Sequence, residues 1–295
     1  MNENLIELKD IDEDYLKDSD EDYIKQNIGN NLPSLKKEDH KIIQEQEEHN
    51  VCQIVKKNNE KGTGFFCKIP IEKGKYFMKT LITNNHVLNE NDIKPNNQID
   101  FIINDKITNK RTIFIDSKKC SYTNEKYDTT IIQLKKEIDD VEYFEVDNKI
   151  FKERKDNDNF LKNKGIYIIH YPKKENNEQV DSVGEKVCYN PGKIIAISKN
   201  PEYKIKHDCY TNKGSSGGPL IDTETKKVIG IHKGTEDKKG AKYNLGTLLN
   251  FPIKEFEESE SNKEKINEFK KSYSNAPPSI INIYYNINSY ISLSK

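Results

Sequence analysis

The feature that most constrains this chain is a run of small residues around one serine, Lys213–Leu220, which reads KGSSGGPL. Glycines on both sides of the serine pair let the backbone turn tightly and approach another group closely. A serine hydroxyl on such a turn can attack a carbonyl carbon, and backbone N–H groups beside it can face the charge that develops on the carbonyl oxygen. Taken alone, the run is also compatible with an ordinary flexible loop. It indicates Ser216 as a candidate nucleophile.

A histidine and an aspartate upstream supply the groups that such a serine needs. A base must take the hydroxyl proton, and a third group must hold the base in the correct tautomer. His86 lies within Thr80–Leu88, where an apolar, β-branched run ends in two asparagines and this histidine, so we expect it at the end of a strand. Asp128 directly precedes the run Thr129–Leu134, so we expect it at the start of another strand. Singly, each is more often structural, since an aspartate before a strand is often a turn cap.

The order of these residues, His86, Asp128 and then Ser216, resembles that of the trypsin-like, chymotrypsin-fold serine peptidases. That family has Thr-x-x-His, an aspartate that opens a strand, and Gly-x-Ser-Gly-Gly/Ser-Pro. Gly62–Cys67 resembles its Gly-Ser/Thr-Gly-Phe strand, and the likeness extends from Val51 to Phe256. The resemblance implies a serine endopeptidase with these three residues as its catalytic triad, acting on a protein or peptide substrate without a metal or other cofactor.

The resemblance also implies an oxyanion hole made by the backbone N–H groups of Gly214 and Ser216. One departure concerns Ser215, which stands where trypsin and its close relatives have an aspartate. In those enzymes the aspartate pairs with a newly cut N-terminal amine and organises the oxyanion hole. A neutral serine cannot form that ion pair. We therefore predict that activation does not use that route.

The strand Val228–Gly234 resembles the Gly-Ile-His strand of the V8-like glutamyl endopeptidases. In that branch the histidine and a threonine five residues before the nucleophile line the pocket for an acidic P1 side chain. The matching residues here are His232 and Thr211, and a histidine bound to solvent or a backbone acceptor is the alternative. His207 and His170 lie in no motif, so we interpret both as structural.

Short apolar runs separated by turn residues predict an all-β chain, and the resemblance specifies two six-stranded antiparallel barrels with the active site between them and a C-terminal helix. Residues 1–48 are charged and read as a disordered leader, with a helical patch at 37–48; a pro-segment or a partner-binding arm is the alternative. The further predicted units are a first barrel at 49–144, a connection at 145–164, a second barrel at 165–251, a helical segment at 252–276 and a polar tail at 277–295.

Composition limits the classes of binding partner and the cellular location that the sequence favours. The net charge is −1, from 48 basic and 49 acidic residues, and no basic stripe suggests a nucleic acid. No run of 18 apolar residues occurs, so no membrane span is expected. The five cysteines are scattered and form no Cys-x-x-Cys pair, which argues against a disulfide framework or a zinc site. Without a signal-peptide pattern, the sequence favours a cytoplasmic location.

Two other interpretations remain open. A catalytically silent trypsin-fold binding or signalling module would usually lack a triad residue, whereas this sequence keeps all three. A serine esterase of the α/β-hydrolase fold would place its histidine last and follow its nucleophile with a helix. Here the histidine comes first, and Pro219 and a further apolar run follow Ser216.

Overall fold

The computed structural model describes residues 36–56, 60–104, 110–135, 138, 140–152, 160–173, 186–238 and 241–274. These residues form two β-sheets, one helix before the first strand and two helices after the last. The strands are β1 (Val51–Val55), β2 (Lys61–Ile71), β3 (Tyr76–Thr83), β4 (Gln98–Ile103), β5 (Lys110–Phe114), β6 (Ser121–Asn124), β7 (Thr129–Gln133), β8 (Phe144–Glu145), β9 (Gly165–His170), β10 (Cys188–Ile197), β11 (Lys204–His207), β12 (Pro219–Asp222), β13 (Val228–Lys238) and β14 (Ala241–Leu248). The helices are α1 (Lys37–His49), α2 (Asn250–Glu258) and α3 (Glu260–Ser274).

The first sheet is a curled half-barrel. Its strands follow the order β5-β4-β1-β2-β3-β7-β6, and β8 pairs with β2 in parallel. Its interior holds a separate apolar cluster that includes Phe66, Leu81 and Phe101, with the two phenylalanine rings edge to face at 5.6 Å between centroids. The described sheet has eight strands where we expected six. The difference comes from β6 and β8, which are short and carry no apolar run that could predict them.

The second sheet closes on itself. Its six strands follow the order β10-β11-β14-β13-β12-β9 and are antiparallel to their neighbours, so the predicted six-stranded barrel is confirmed. Closure removes the exposed edges that an open sheet would present. The all-β, two-barrel fold class with a C-terminal helix is therefore confirmed, with the first barrel only partly closed.

A large apolar cluster joins the two sheets. Phe65 and Ile82 enter it from the first sheet, and Tyr167 and Leu220 enter it from the second, all fully buried. Phe256 of α2 completes the same cluster from the C-terminal side. Because interiors are packed as densely as organic crystals, this shared core fixes the two sheets against each other. The loops at their junction are thereby held in place.

The C-terminal helical segment is present as two helices, which begin at Asn250, two residues before the predicted start. Ile253 and Phe256 of α2 and Ile266 of α3 are buried in the large apolar cluster, where the Phe256 ring lies edge to face against Tyr122 of β6 at 6.4 Å between centroids. Among the described residues, none of the helices is long and apolar enough to cross a bilayer. The predicted polar tail at 277–295 lies outside the described residues.

The helical patch expected at 37–48 is present as α1, but the prediction that the leader is disordered is wrong from Lys37 onward, because α1 packs on the core. Ile43 is completely buried within the large apolar cluster. The Tyr167 hydroxyl of β9 donates a hydrogen bond of 2.6 Å to Gln46 Oε1, and Asp39 forms an ion pair of 2.8 Å with Lys226. Because most contacts of α1 with the rest of the protein are polar, its sequence carries only a weak hydrophobic pattern. Residues 1–35 of the predicted leader lie outside the described residues.

Ile43→Ala is expected to lower the free energy of unfolding by about 2–5 kcal/mol, because it removes buried methyl groups and leaves a cavity. Ile42→Ala is the matched control, since the neighbouring isoleucine is 39% exposed. A change within about 0.5 kcal/mol is expected for that variant. Urea denaturation of both variants measures the difference. Equal losses for the two would contradict the docking of α1.

Candidate active site

The pairing of β3 with β7 brings His86 beside Asp128. Thr83, the last residue of β3, lies opposite Thr130 near the start of β7, so the turn after β3 meets the residue before β7. His86 Nδ1 lies 2.8 Å from Asp128 Oδ2 and 3.0 Å from Oδ1. The backbone N–H of His86 also donates to Asp128 Oδ1 at 3.0 Å. Three contacts therefore fix the carboxylate against the imidazole and its backbone.

The two partners differ in exposure. The Asp128 side chain is 7% exposed, while the His86 side chain is 50% exposed. Asn84 fixes the backbone of Asp128, because its Nδ2 donates a hydrogen bond to the Asp128 carbonyl at 2.8 Å. With Nδ1–H of His86 donating to the carboxylate, Nε2 is left as an acceptor. Within the described residues Nε2 forms no hydrogen bond, so it can receive a proton from outside the pair.

Ser216 lies on a loop between β11 and β12 that is anchored to both sheets. The Thr63 N–H of β2 donates to the Ser216 carbonyl at 2.8 Å, and the Gly217 N–H donates to the His232 carbonyl at 3.1 Å. Gly217 has φ +90°, and a Cβ there would lie 2.0 Å from the Thr63 carbonyl oxygen and 2.6 Å from Thr83 Oγ1. Only glycine fits this close approach. The loop therefore abuts the end of β3, three residues before His86.

The Ser216 hydroxyl donates to the Lys233 carbonyl at 3.3 Å. Within the described residues that is its hydrogen-bond partner, and a bond to His86 is not formed. In structures without substrate, catalytic hydrogen bonds are often long or misaligned and tighten only in the complex.

Two backbone N–H groups beside Ser216 are available as donors. The Lys213 carbonyl accepts from the Lys173 N–H at 2.6 Å, and the Ser215 carbonyl accepts from the Gly218 N–H at 3.0 Å. These bonds orient the peptide groups that carry the N–H of Gly214 and of Ser216, because N–H and C=O point in opposite directions in a trans peptide. Within the described part of the chain, neither N–H donates a hydrogen bond.

The candidate P1 residues take part in separate hydrogen bonds. Thr211 Oγ1 donates to Asn244 Oδ1 at 2.9 Å, and His232 Nδ1 lies 3.2 Å from His207 Nε2. His232 is only 2% exposed. Burial, followed by the neighbouring histidines, lowers the pKa of His232 well below its ordinary value, and burial lowers the pKa of His207 to about 3. Both rings are therefore neutral near pH 7.

Sequence reasoning missed one contact of the serine loop. His170, at the end of β9, lies with its Nδ1 2.6 Å from Ser215 Oγ, and both residues are completely buried. This histidine–serine pair is inaccessible to a substrate, unlike Ser216. No motif surrounds His170, and the contact depends on the position of β9 in the closed barrel. Only the register of the strands could have revealed it.

Comparison with known protein families agrees with this geometry. The family described as "trypsin-like peptidase domain" matches residues 62–231, more than half of the chain, and this range includes most strands of both sheets and all three candidate triad residues. The chain belongs to the trypsin-like peptidase family. Its expected relationship to the chymotrypsin-fold peptidases is thereby confirmed at the level of the family. Among curated protein sequences, none matches this chain.

Several solved structures are similar to this trypsin-like peptidase. Rv3671c from M. tuberculosis, in an inactive form, is 16% identical over 78% of this chain and 98% of its own, with a TM-score of 0.48. Deg5 is 14% identical over 75% of this chain and 95% of its own, with a TM-score of 0.47. The serine protease domain of the Sesbania mosaic virus polyprotein is 17% identical over 70% of this chain and 90% of its own, with a TM-score of 0.44.

Proposed function

We propose that this trypsin-like peptidase is a serine endopeptidase in which Ser216 is the nucleophile, His86 the general base and Asp128 the residue that orients the base. The observation that carries the proposal is the hydrogen-bonded pair of His86 Nδ1 and Asp128 Oδ2 at 2.8 Å. A buried carboxylate on Nδ1 leaves Nε2 of a half-exposed imidazole ready to accept a proton. That arrangement is what nucleophilic activation of a serine requires.

The proposed reaction proceeds through an acyl-enzyme. Ser216 Oγ attacks the carbonyl carbon of the scissile peptide bond while His86 Nε2 takes the hydroxyl proton. The oxygen that becomes negative accepts hydrogen bonds from the N–H groups of Gly214 and Ser216. His86 then donates its proton to the leaving amine, and the peptide C–N bond breaks. Water, activated in the same way by His86, hydrolyses the ester and restores the Ser216 hydroxyl.

We extend the proposal to a preference for an acidic P1 side chain, as in the V8-like branch, with His232 and Thr211 in the pocket. His232 adjoins the nucleophile, because its carbonyl accepts from the Gly217 N–H and the next carbonyl accepts from Ser216 Oγ. The His207 ring and the Leu245 backbone are the hydrogen-bond partners of the His232 ring within the described residues. A substrate carboxylate at this edge would favour the imidazolium and form a charge-assisted hydrogen bond. Binding would then take up one proton.

Matched peptides that differ only in P1 Glu or P1 Gln test the pocket. We expect kcat/KM to favour Glu and the Glu-to-Gln ratio to rise as the pH falls, since the free pKa of His232 is lowered and the proton is acquired on binding. The need for an unprotonated His86 affects the cleavage of both peptides equally, so it cancels in the Glu-to-Gln ratio. His232→Asn is expected to bring the ratio near one at all pH values. A wild-type preference for Gln, or an unchanged ratio in the variant, would reject the acidic pocket.

We also propose a cytoplasmic location and protein or peptide substrates. All five cysteines are free thiols, four of them buried, which fits a reducing compartment. A catalytically silent module remains the competing function. It predicts that the folded protein neither cleaves a diverse peptide library nor reacts with serine-directed reagents.

A further inference from the structure

The residue beside the nucleophile carries a polar network that the proposed reaction does not use. Ser215 is completely buried, and its Oγ lies 2.6 Å from His170 Nδ1. The same oxygen accepts a hydrogen bond of 2.9 Å from the Asn212 N–H. The backbone N–H of Ser215 donates back to the Asn212 carbonyl at 3.0 Å. One serine thus closes the turn at residues 212–215 through both its side chain and its backbone.

The other side of the imidazole is anchored in the barrel wall. His170 lies opposite Cys188 in the pairing of β9 with β10. Its Nε2 is 2.8 Å from Asn190 Nδ2 and 3.5 Å from Cys188 Sγ. The ring is therefore held between two strands of a closed barrel and one loop. Such a position is rigid, because the barrel has no free edge at which these strands could separate.

The donors and acceptors around His170 can be matched when its imidazole ring is neutral. Burial lowers the pKa of His170 to about 4, so the imidazole carries one proton near pH 7. Turning the Asn190 amide over places Oδ1 where Nδ2 lies, so that Nε2–H donates to Oδ1, Nδ1 accepts the Ser215 hydroxyl proton, and Ser215 Oγ accepts the Asn212 N–H. The donors of the ring and of Ser215 then both have acceptors, whereas the other tautomer leaves the Ser215 hydroxyl proton without one.

The network adjoins both candidate oxyanion donors, since Gly214 and Ser216 flank Ser215. We infer that His170 is a positioning residue, which through Ser215 holds the 212–216 turn so that the N–H groups of Gly214 and Ser216 face the reacting carbonyl oxygen. The inference rests on the proposed serine peptidase function. It gives a neutral, internal hydrogen bond the task that an ion pair with a new N-terminal amine performs in trypsin. The oxyanion hole is then formed in the chain as synthesised.

The test compares Ser215→Ala, which removes one oxygen atom, with His170→Leu and His170→Asn. We expect kcat for a peptide substrate to fall about 10–100-fold in the first two variants with KM within about threefold, because the donors matter most to the transition state. Affinity for a peptide aldehyde, whose adduct places an oxyanion in the hole, is expected to fall by the same factor. Asn at position 170 can still bond Ser215, so that variant is expected to keep kcat within a few fold of the wild type.

Thr80→Val is the matched control, because Thr80 is a buried hydroxyl that donates to the Cys67 carbonyl at 2.9 Å within the first sheet. It is expected to lose stability without loss of kcat. If Ser215→Ala behaves like this control, keeping wild-type kcat and aldehyde affinity, the inference is overturned. The double variant Ser215→Ala/His170→Leu is expected to lose no more kcat than the worse single variant, since both act through one bond. Wild-type protein that shows neither turnover nor aldehyde binding would overturn the proposed function, and this inference with it.

Discussion

Replacing Ser216 with alanine is expected to lower kcat for peptide hydrolysis by about 10⁴-fold to 10⁶-fold, the range typical of triads that act as a unit. The substitution removes the atom that forms the acyl-enzyme, so no residual nucleophile remains beside His86. Among the described residues, the hydrogen bond of the Ser216 hydroxyl is a long one of 3.3 Å to the Lys233 carbonyl, and the fold should tolerate its loss. Steady-state kinetics on a fluorogenic peptide and thermal unfolding, measured on the same preparation, separate activity from stability.

His86→Ala should cost a similar factor, and combining it with Ser216→Ala should cost little more, since the base has no function without the nucleophile. Asp128→Asn is expected to be somewhat less damaging, at about 10⁴-fold, because it leaves the geometry but favours the wrong imidazole tautomer. Wild-type turnover in folded Ser216→Ala protein would reject the nucleophile assignment. An additive loss in the double variant would reject the pairing of the two residues.

Acid is expected to unfold the protein well before its carboxylates are fully protonated. Burial lowers the pKa of His170 to about 4 and that of His207 to about 3, and it lowers the pKa of His232 well below its ordinary value. In the unfolded chain each histidine binds a proton near pH 6.5. Below that pH the unfolded state binds more protons than the folded state, so stability falls as the pH falls.

Each of the three groups contributes up to about 1.4 kcal/mol per pH unit between its unfolded and folded pKa. The loss of stability begins below pH 6.5 and continues until the pH reaches the folded pKa, which is about 4 for His170 and about 3 for His207. By pH 4.5 the three histidines together have lowered the free energy of unfolding by several kcal/mol. A typical protein has a free energy of unfolding of about 5–15 kcal/mol. Urea denaturation at half-unit steps from pH 7.5 to 4.5 measures the slope. His207→Gln should make it shallower, and an unchanged slope in that variant would contradict the account.

The candidate catalytic residues stand out in the sequence because the chemistry proposed for them imposes local patterns. Gly217 must be glycine, since any Cβ would collide with the Thr63 carbonyl. His86 must follow a buried strand, and Asp128 must precede one, if β3 and β7 are to bring them together. These requirements leave recognisable neighbours in the sequence. The closed second barrel was predictable for the same reason, because its strands carry clear apolar runs.

Other features depended on contacts that no local pattern reveals. His170 meets Ser215 across 45 residues of sequence, and only the register of β9 in its barrel brings them together. Helix α1 docks through one fully buried isoleucine and several polar side chains, so its sequence resembles a charged, unstructured segment. The short strands β6 and β8 owe their place to pairing partners rather than to their own composition.

Covalent labelling with a fluorophosphonate, followed by mass spectrometric fragmentation of the modified peptide, tests the central proposal most directly. The reagent phosphonylates an activated serine hydroxyl and is indifferent to the P1 pocket. The account predicts one adduct per chain, located on Ser216 in the wild type, absent from Ser216→Ala and still on Ser216, though formed more slowly, in Ser215→Ala. An adduct on another serine, or folded wild-type protein that forms none, would contradict it.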